Sequence, residues 1–270
     1  MQTPGNRGYL HEPYRLFHST DQRDADFDTH YHEFHKLIFC LSGGVTYTME
    51  GRIYALEKGD LLIIPARQMH KSTLRATEKY ERMILWISDG FLRGQREPAP
   101  AEVFEACRHF RPGDAQRSRL LDLLLALERC PAEGGPGAGL LADTYLIQFL
   151  VMLRRLTGAD IPAEAPRRDP LFEEILAYID GHLSADLSVS ALAGRFFVSP
   201  SRLMHAFKDH AGCTLHRYVV QKRLLWAADR IREGAPVLTA AREAGFADYS
   251  SFLKAFRRQY DCAPGQLREP

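Results

Sequence analysis

The feature that most constrains this 270-residue sequence is an internal repeat in its last third. Ala193 and Ala241 stand 48 residues apart, and the pairs Leu203/Phe252 and Phe207/Phe256 stand 49 apart. In both copies apolar residues recur at three- and four-residue steps, so the repeat requires two similar helical units flanking a connecting element. The helix-start signals agree. Ser188 precedes a short helix through Arg195, Ser199-Pro200 sets a capping hydroxyl before a proline at the first helical position, and Asp248 precedes a helix through Tyr260. Between the units the pattern predicts one long helix, about Thr214 to Glu233, closed by Gly234 and Pro236. Ahead of both, Leu171, Phe172, Ile175, Leu176, Ile179 and Leu183 predict an amphipathic helix.

The second helix of each unit divides into two faces. In the first, Leu203, Ala206 and Phe207 face inward, while Ser201, Arg202, His205 and Lys208 are free. In the second, Phe252, Ala255 and Phe256 face inward, while Tyr249, Ser250, Lys254, Arg257 and Arg258 are free. The formal net charge is only +1, but it is unevenly spread. From Arg195 to Arg258 there are 12 Lys and Arg against 5 Asp and Glu, which leaves the remainder of the chain acidic. Helices of this kind fit the major groove, where early residues reach base edges and cations neutralise phosphates. A solvated charged face is the plainer reading of one such helix; two repeated units sharing a basic excess weigh against it.

The stretch Leu187 to Arg268 resembles the DNA-binding domain of the AraC/XylS family of bacterial transcription regulators. The matching features are Leu192-Ala193, Ser199-Pro200, Leu203, Phe207-Lys208, Gly212, Arg223-Leu224, Ala227, Ala241, Gly245-Phe246, Ser251-Phe252, Phe256-Arg257, Pro264 and Arg268. The resemblance implies a seven-helix domain whose two recognition helices enter successive major-groove segments of promoter DNA. Carried over by position, Ser201, Arg202, Met204, His205, Tyr249, Ser250 and Lys254 are the base-facing residues, and Lys208, Arg257 and Arg258 the phosphate contacts. The chain departs from the family pattern at Asp261, where glycine usually follows the last long helix. It departs also at Trp226 and Arg230 in the connecting helix, and at Val237 to Ala241, which lacks the common Ile-Ala pair.

The first half reads differently. From about Tyr14 to Ser88 the period is two, with Val45, Tyr47 and Met49 alternating with Thr46, Thr48 and Glu50, and Leu61 to Ile64 forming a short buried run. Turns at Ser42-Gly43-Gly44, Glu50-Gly51 and Lys58-Gly59-Asp60 break it into closely spaced strands, as in a barrel or sandwich. Ser118 to Arg129 and Leu140 to Leu156 then predict two helices, separated by a Pro/Gly-rich break from Cys130 to Gly139. On periodicity alone this pair could cover its own barrel or meet its copy in a dimer. Pro162, Pro166 and Pro170, with Arg167, Arg168 and Asp169, mark a linker. The expected fold is α+β in two domains: an N-terminal β-barrel of cupin or jelly-roll type with flanking helices over 1–157, a linker over 158–169, and an all-α double helix-turn-helix domain over 170–270.

His30-Tyr31-His32 and the run Gly59-Asp60 through Pro65 to His70 look like the two cupin motifs. In metal-binding cupins the ligands would be His30, His32, an acid and His70, because imidazole and carboxylate suit divalent iron, zinc or manganese. Here Lys36 takes the acid's usual position, although Glu33 and His35 lie nearby, and Arg67 takes the motif's usual glycine. Sensor cupins of this family mostly hold a small organic effector without metal, so no metal or other cofactor is expected. The candidate effector-binding residues are His30, His32, His35, Lys36, Tyr47, His70, Arg82 and Trp86. Hydrogen-bonding rings with one or two cations and an aromatic for stacking suit a polar ligand such as a sugar or hydroxylated acid. For each residue singly, a structural role in a strand or core is the competing reading.

With 45% hydrophobic and 26% charged residues the composition is that of an ordinary globular protein, and excludes disordered, collagenous and coiled-coil chains. No run approaches the roughly 18 apolar residues of a membrane helix, and Met1 to Thr20 lacks a signal-peptide layout, so no membrane partner and a cytoplasmic location are expected. Five scattered cysteines without a Cys-x-x-Cys indicate neither a disulfide framework nor a thiolate zinc site. His18, Ser19 and Asp21 lie together in an expected turn and form no nucleophile-base-orienter set, so no catalytic residue is assigned. The leading expectation is an effector-controlled transcription activator, a homodimer whose partners are double-stranded promoter DNA, a small effector such as a carbohydrate, and RNA polymerase. A metal-dependent cupin enzyme with a helical appendage and a constitutive DNA-binding protein with a scaffold cupin are the alternatives.

Overall fold

A computed structural model describes residues 10, 12–27, 29–50, 52–74, 79–158 and 169–268. The period-two segments form strands β1 (Tyr14–Asp21), β2 (Ala25–Asp26), β3 (His35–Ser42), β4 (Val45–Met49), β5 (Arg52–Leu56), β6 (Leu61–Ile64), β7 (His70–Leu74) and β8 (Tyr80–Ile87). A ninth, β9 (Arg108–Phe110), lies beyond the expected β region; three residues are too few to show a period. The strands pair antiparallel into a five-stranded sheet, β1-β8-β3-β6-β9, and a four-stranded sheet, β2-β7-β4-β5. Among the described residues the two sheets are not joined by a continuous ladder. The expected barrel is therefore an open two-sheet sandwich, closed by packing and not by hydrogen bonds.

Alternation along β3 decides which side chains reach the space between the sheets. Ile38 and Cys40 point into it, against Val45, Tyr47, Met49, Ile64 and Ile84. Leu37 and Phe39 point to the opposite face, which is covered by helices α3 (Asp114–Glu133) and α4 (Ala138–Gly158); two short helices, α1 (Asp89–Arg93) and α2 (Ala99–Glu102), precede them. Leu120, Leu124 and Leu127 of α3 and Leu146, Phe149, Leu150 and Leu153 of α4 lie at helical spacing and are buried there. Each such side chain contributes about 1.5–3 kcal/mol by leaving water. The helix pair thus covers its own sheet.

The C-terminal half contains α5 (Pro170–Gly181), α6 (Val189–Arg195), α7 (Pro200–Ala206), α8 (Leu215–Arg232), α9 (Val237–Glu243) and α10 (Tyr249–Tyr260). A π-helical turn, Phe207–Ala211, continues α7, and a 3-10 helix, Pro264–Arg268, supplies the seventh helix implied by the family resemblance. Every predicted cap is made: Ser188, Ser199 and Asp248 accept from the N–H groups of Ala191, Arg202 and Ser251. Asp169 and Thr214 do the same for α5 and α8.

Each unit has its own core. Leu192, Leu203 and Phe207 pack with Phe172, Ile175 and Ile179 of α5, while Phe252 and Phe256 pack with Ala240, Ala241 and Ala244. Helix α8 contributes Tyr218 and Val219 to the first core and Leu224, Ala227 and Ile231 to the second, so any load on α8 is felt by both units. Asp261, the departure from the family glycine, still adopts the left-handed cap conformation, with φ 53°. Aspartate tolerates that region better than most side chains. The proposed linker, apart from its ends, lies outside the described residues, as does Gly51 of the predicted Glu50-Gly51 turn.

Candidate functional site

Two short segments, 29–33 and 67–71, meet at one end of the sandwich. His30 and His70 exchange backbone hydrogen bonds at 2.9 and 3.0 Å, and the Arg67 N–H donates to the His32 carbonyl at 2.6 Å. The pairing sends alternate side chains to opposite sides. His30 and His32 go to the lumen side, with His70 beside them, and the ring centroids lie 4.6 to 4.9 Å apart. Phe34 stacks on His32 at 4.4 Å, Trp86 lies 6.0 Å from His32, and Tyr47 lies 6.5 Å from His70.

His32 and His70 are both buried, and neither ring nitrogen of His32 has a hydrogen-bond partner among the described residues. His70 Nδ1 lies 2.9 Å from the Gln68 carbonyl, which can only accept, so Nδ1 carries the proton and the unpartnered Nε2 presents a lone pair. Burial, reinforced by the repulsion of neighbouring histidines and Lys36, holds both imidazoles well below their usual pKa. They are neutral at pH 7.

The remaining candidates divide by strand parity. Lys36, Tyr47, Arg82 and Trp86 belong to the lumen. Lys36 Nζ sits 5.8 Å from the Tyr47 ring centroid, and burial together with Arg82 lowers its pKa to about 8. Arg82 lies over the Tyr80 ring and pairs with Asp21 at 2.5 Å. Burial raises the Tyr47 hydroxyl to about 12. His35 is one residue out of phase with Lys36 and goes to the other face. Its Nε2 meets Asp89 at 2.9 Å, its Nδ1 accepts from the Ala66 N–H, and its ring packs on Phe104. The structure therefore brings seven of the eight candidates to the lumen and takes His35 away from them.

The odd-numbered residues of the same segment face the helical half, and nothing in the sequence pattern marks them. Thr29 Oγ1 donates to the Ala211 carbonyl at 2.9 Å, while the Thr29 carbonyl accepts from Arg217. Tyr31 donates to the Tyr260 hydroxyl at 3.0 Å. Glu33, the acid next to the histidine motif, pairs with Arg67 and with Arg232 of α8. Arg67 also donates to Asp229 at 2.6 Å, and Glu50 accepts from Lys222 at 3.0 Å. Among the described residues of the sandwich, Arg67 and Glu50 are the non-glycine residues with left-handed backbones, at φ 68° and 43°, and both reach α8. Arginine at the motif's glycine position was the one visible signal of this contact.

All ten candidate DNA-facing residues, Ser201, Arg202, Met204, His205, Lys208, Tyr249, Ser250, Lys254, Arg257 and Arg258, are exposed on α7, the π turn and α10. Among the described residues none of the five cations in this set forms an ion pair. Four other cations of the basic stretch are engaged within the protein: Arg217, Lys222 and Arg232 hold the sandwich, and Arg223 donates to the Leu183 and Ala185 carbonyls. No helix among the described residues is long and apolar enough to cross a membrane.

Comparison with known proteins agrees with both halves. Residues 12–150 match the family model of the AraC-like ligand binding domain, and residues 192–270 match a helix-turn-helix domain model. The HTH-type transcriptional activator RhaS of Salmonella typhimurium is 26% identical over 256 residues, covering 91% of this chain and 88% of that one. RhaS of Klebsiella pneumoniae is 24% identical over 247 residues, covering 90% and 88%. Among solved structures, ToxT from Vibrio cholerae aligns over 95% of this chain and 98% of its own, at 13% identity and a TM-score of 0.40.

Proposed function

Because this chain belongs to the AraC family of transcription regulators, and is not an enzyme, we propose that it is an activator controlled by a small polar effector held between the two sheets. The observation that carries this reading is the alternation along 29–33: His30 and His32 face the lumen while Thr29, Tyr31 and Glu33 grip the helical domain. A ligand that shifts this segment changes the grip on α8, which joins both helix-turn-helix units. The effector must then bind the gripped and released arrangements with different affinity. Lys36, Arg82, Tyr47 and the histidines suit a sugar or a hydroxylated acid.

On this reading residues 1–157 are the sensor, 158–169 the linker and 170–270 the DNA-binding domain. Ser201, Arg202, Met204, His205, Tyr249, Ser250 and Lys254 read bases, and Lys208, Arg257 and Arg258 hold phosphates. The active form is a homodimer that engages RNA polymerase in the cytoplasm; the 73% exposure of Leu140 on α4 supports a further apolar contact at that helix. The test is binding of the full-length protein to the DNA upstream of its own and neighbouring genes, titrated with salt, with and without a panel of sugars and hydroxy acids. Specific, salt-dependent binding that shifts with one compound is expected. Specific binding indifferent to every compound would favour a constitutive regulator with a scaffold sandwich.

A further inference from the structure

We infer that Phe197, in the turn of the first helix-turn-helix unit, is a contact between neighbouring copies of this chain on DNA, and that it packs on segment 233–238 of the next copy. The inference starts from a comparison of the chain with itself. Phe197 and Gly245 stand 48 residues apart, the interval that separates Ala193 from Ala241, so they hold the same position in the two units. Their backbones agree. Both are left-handed, at φ 54° and 89°, and in each unit the next N–H, of Val198 or Phe246, donates at 3.0 Å to the equivalent carbonyl, of Ala193 or Ala241. The turn requires a left-handed residue, which glycine supplies without strain and a phenylalanine does not.

Packing within the chain does not offset that strain, because Phe197 is 96% exposed. A single exposed apolar side chain calls for no explanation; one held in the left-handed region does. The second unit shows where a side chain at this position points. A Cβ on Gly245 would run into the Leu183 carbonyl and stand 2.9 Å from the Arg223 guanidinium. Neither residue belongs to a recognition helix: Leu183 lies in the loop between α5 and α6, by which the first unit begins, and Arg223 lies on α8. The turn of the second unit is thus covered by the unit that precedes it.

No helix-turn-helix unit precedes the first one in the chain, and among the described residues its turn is bare. A second copy, one step back on the same face of the DNA, supplies the missing neighbour. Moving 48 residues on from Leu183 leads to Ile231, so the counterpart of the α5–α6 loop is the α8–α9 loop. There Glu233, Gly234 and Pro236 are exposed, and Leu238 follows on α9, an apolar side chain 44% exposed. Phe197 of one copy and the partner's Leu238 are different surfaces, so the contact is head-to-tail and extends along the duplex instead of closing. Within one chain the same junction leaves a groove of about 460 Å³ beside Gly245, walled by Ala185, Leu187 and Val219, where glycine has no ring to offer. One buried ring suffices as a contact because the shared duplex already holds both copies at high effective concentration. The inference rests on the DNA-binding reading, since only DNA sets the copies in register.

The test uses the full-length chain and a duplex that the protein itself selects from random sequence. Affinity is measured for one copy of that site, for two copies in direct repeat with successive units about one helical turn apart, roughly 10–10.5 bp, and for the same pair offset by half a turn. Wild type should favour the in-phase pair over both other duplexes. Phe197→Gly should reduce that preference by about 10–100-fold, the effect of exposing one large apolar side chain, with affinity for the single site unchanged. Leu238→Ser should act in the same direction, and Phe197→Tyr, which keeps the ring, should retain the preference. Thermal unfolding of Phe197→Gly should show a protein at least as stable as wild type, because glycine relieves the turn. Lower stability would mean that the ring packs in its own chain, and overturns the inference. So does an in-phase preference that survives Phe197→Gly, or an equal loss on the single site, which would make Phe197 a DNA contact. A protein that selects no sequence overturns the DNA-binding reading as well, whereas selection without any in-phase preference overturns this contact alone.

Discussion

Arg67 reaches Asp229 at 2.6 Å from a backbone held at φ 68°, a conformation that ordinarily calls for glycine. The side chain that occupies this strained position is one of several that tie the sandwich to α8, with Glu33 and Glu50. An arginine in the left-handed region costs about 1–2 kcal/mol, and it persists because Glu33 and Asp229 hold it on either side. Since Arg67 and Asp229 are each more than a third exposed, solvent screening limits their direct coupling to about 0.5–1 kcal/mol. A double-mutant cycle with Arg67→Ala and Asp229→Ala in urea unfolding should return an interaction of that size. Additive single effects would show that the contact holds nothing together. Arg67→Gly should leave the sandwich as stable as before, since relief of the backbone offsets the lost pair, while changing DNA affinity in the absence of effector.

Asp60, in the Gly59-Asp60 turn, gives a pH signature for the sandwich. Burial alone would raise its pKa, but hydrogen bonds from His109, Arg111 and the Glu57 N–H outweigh burial and bring it down to about 2. A carboxyl depressed in the folded state adds stability above its unfolded value of 3.8, and that stability is lost as pH falls through the folded value. With Arg111 half exposed, the contribution is about 1–2 kcal/mol. Asp60→Asn should cost that much at pH 7 and flatten the decline between roughly pH 5 and pH 2. Parallel pH profiles for variant and wild type in thermal unfolding would rule the carboxylate out as the source.

Gly245, one of the family-matching glycines, carries a different kind of constraint. Its φ of 89° and the closeness of the Leu183 carbonyl and the Arg223 guanidinium leave no space for a Cβ. Arg223 is itself fixed there by hydrogen bonds of 2.8 and 3.0 Å to the Leu183 and Ala185 carbonyls. Gly245→Ala should therefore destabilise the helical half by at least about 2 kcal/mol, combining backbone strain with a displaced arginine. Denaturant unfolding measures this. A variant as stable as wild type would mean that the α9–α10 turn can rearrange freely.

What was legible in the sequence, and what was not, follows from the range of the interactions concerned. Caps at Ser188, Ser199 and Asp248 are read within four residues, and the Leu203/Phe252 repeat needs only a period, so both appear in the structure as expected. Convergence of His30, His32 and His70 was visible as motif spacing. His35, expected in the lumen beside Lys36, lies on the other face because adjacent strand residues face opposite ways. The Tyr31–Tyr260 and Glu33–Arg232 contacts join residues about two hundred positions apart, and no local pattern encodes such docking. The basic excess of the C-terminal half overstated the charge available to DNA, because Arg217, Lys222, Arg223 and Arg232 are engaged within the protein.

That division of the cations yields a prediction for the DNA-binding face. Lys208, Arg257 and Arg258 are exposed, and none is in an ion pair among the described residues, so their charge is available to phosphates. Removing Lys208 or Arg257 to alanine should weaken binding to specific and non-specific DNA alike, and reduce the slope of log affinity against log salt by about 1 each. Arg202, in the first turn of α7, should behave otherwise. Arg202→Ala is expected to cost about 1–3 kcal/mol on the specific site and relax preference at one base pair. Fluorescence anisotropy across a salt series, on a specific and a scrambled duplex, separates the two classes. Should Arg202→Ala lower affinity equally on both duplexes, the residue is a phosphate contact, and α7 sits in the groove at a different depth from the one its exposed face implies.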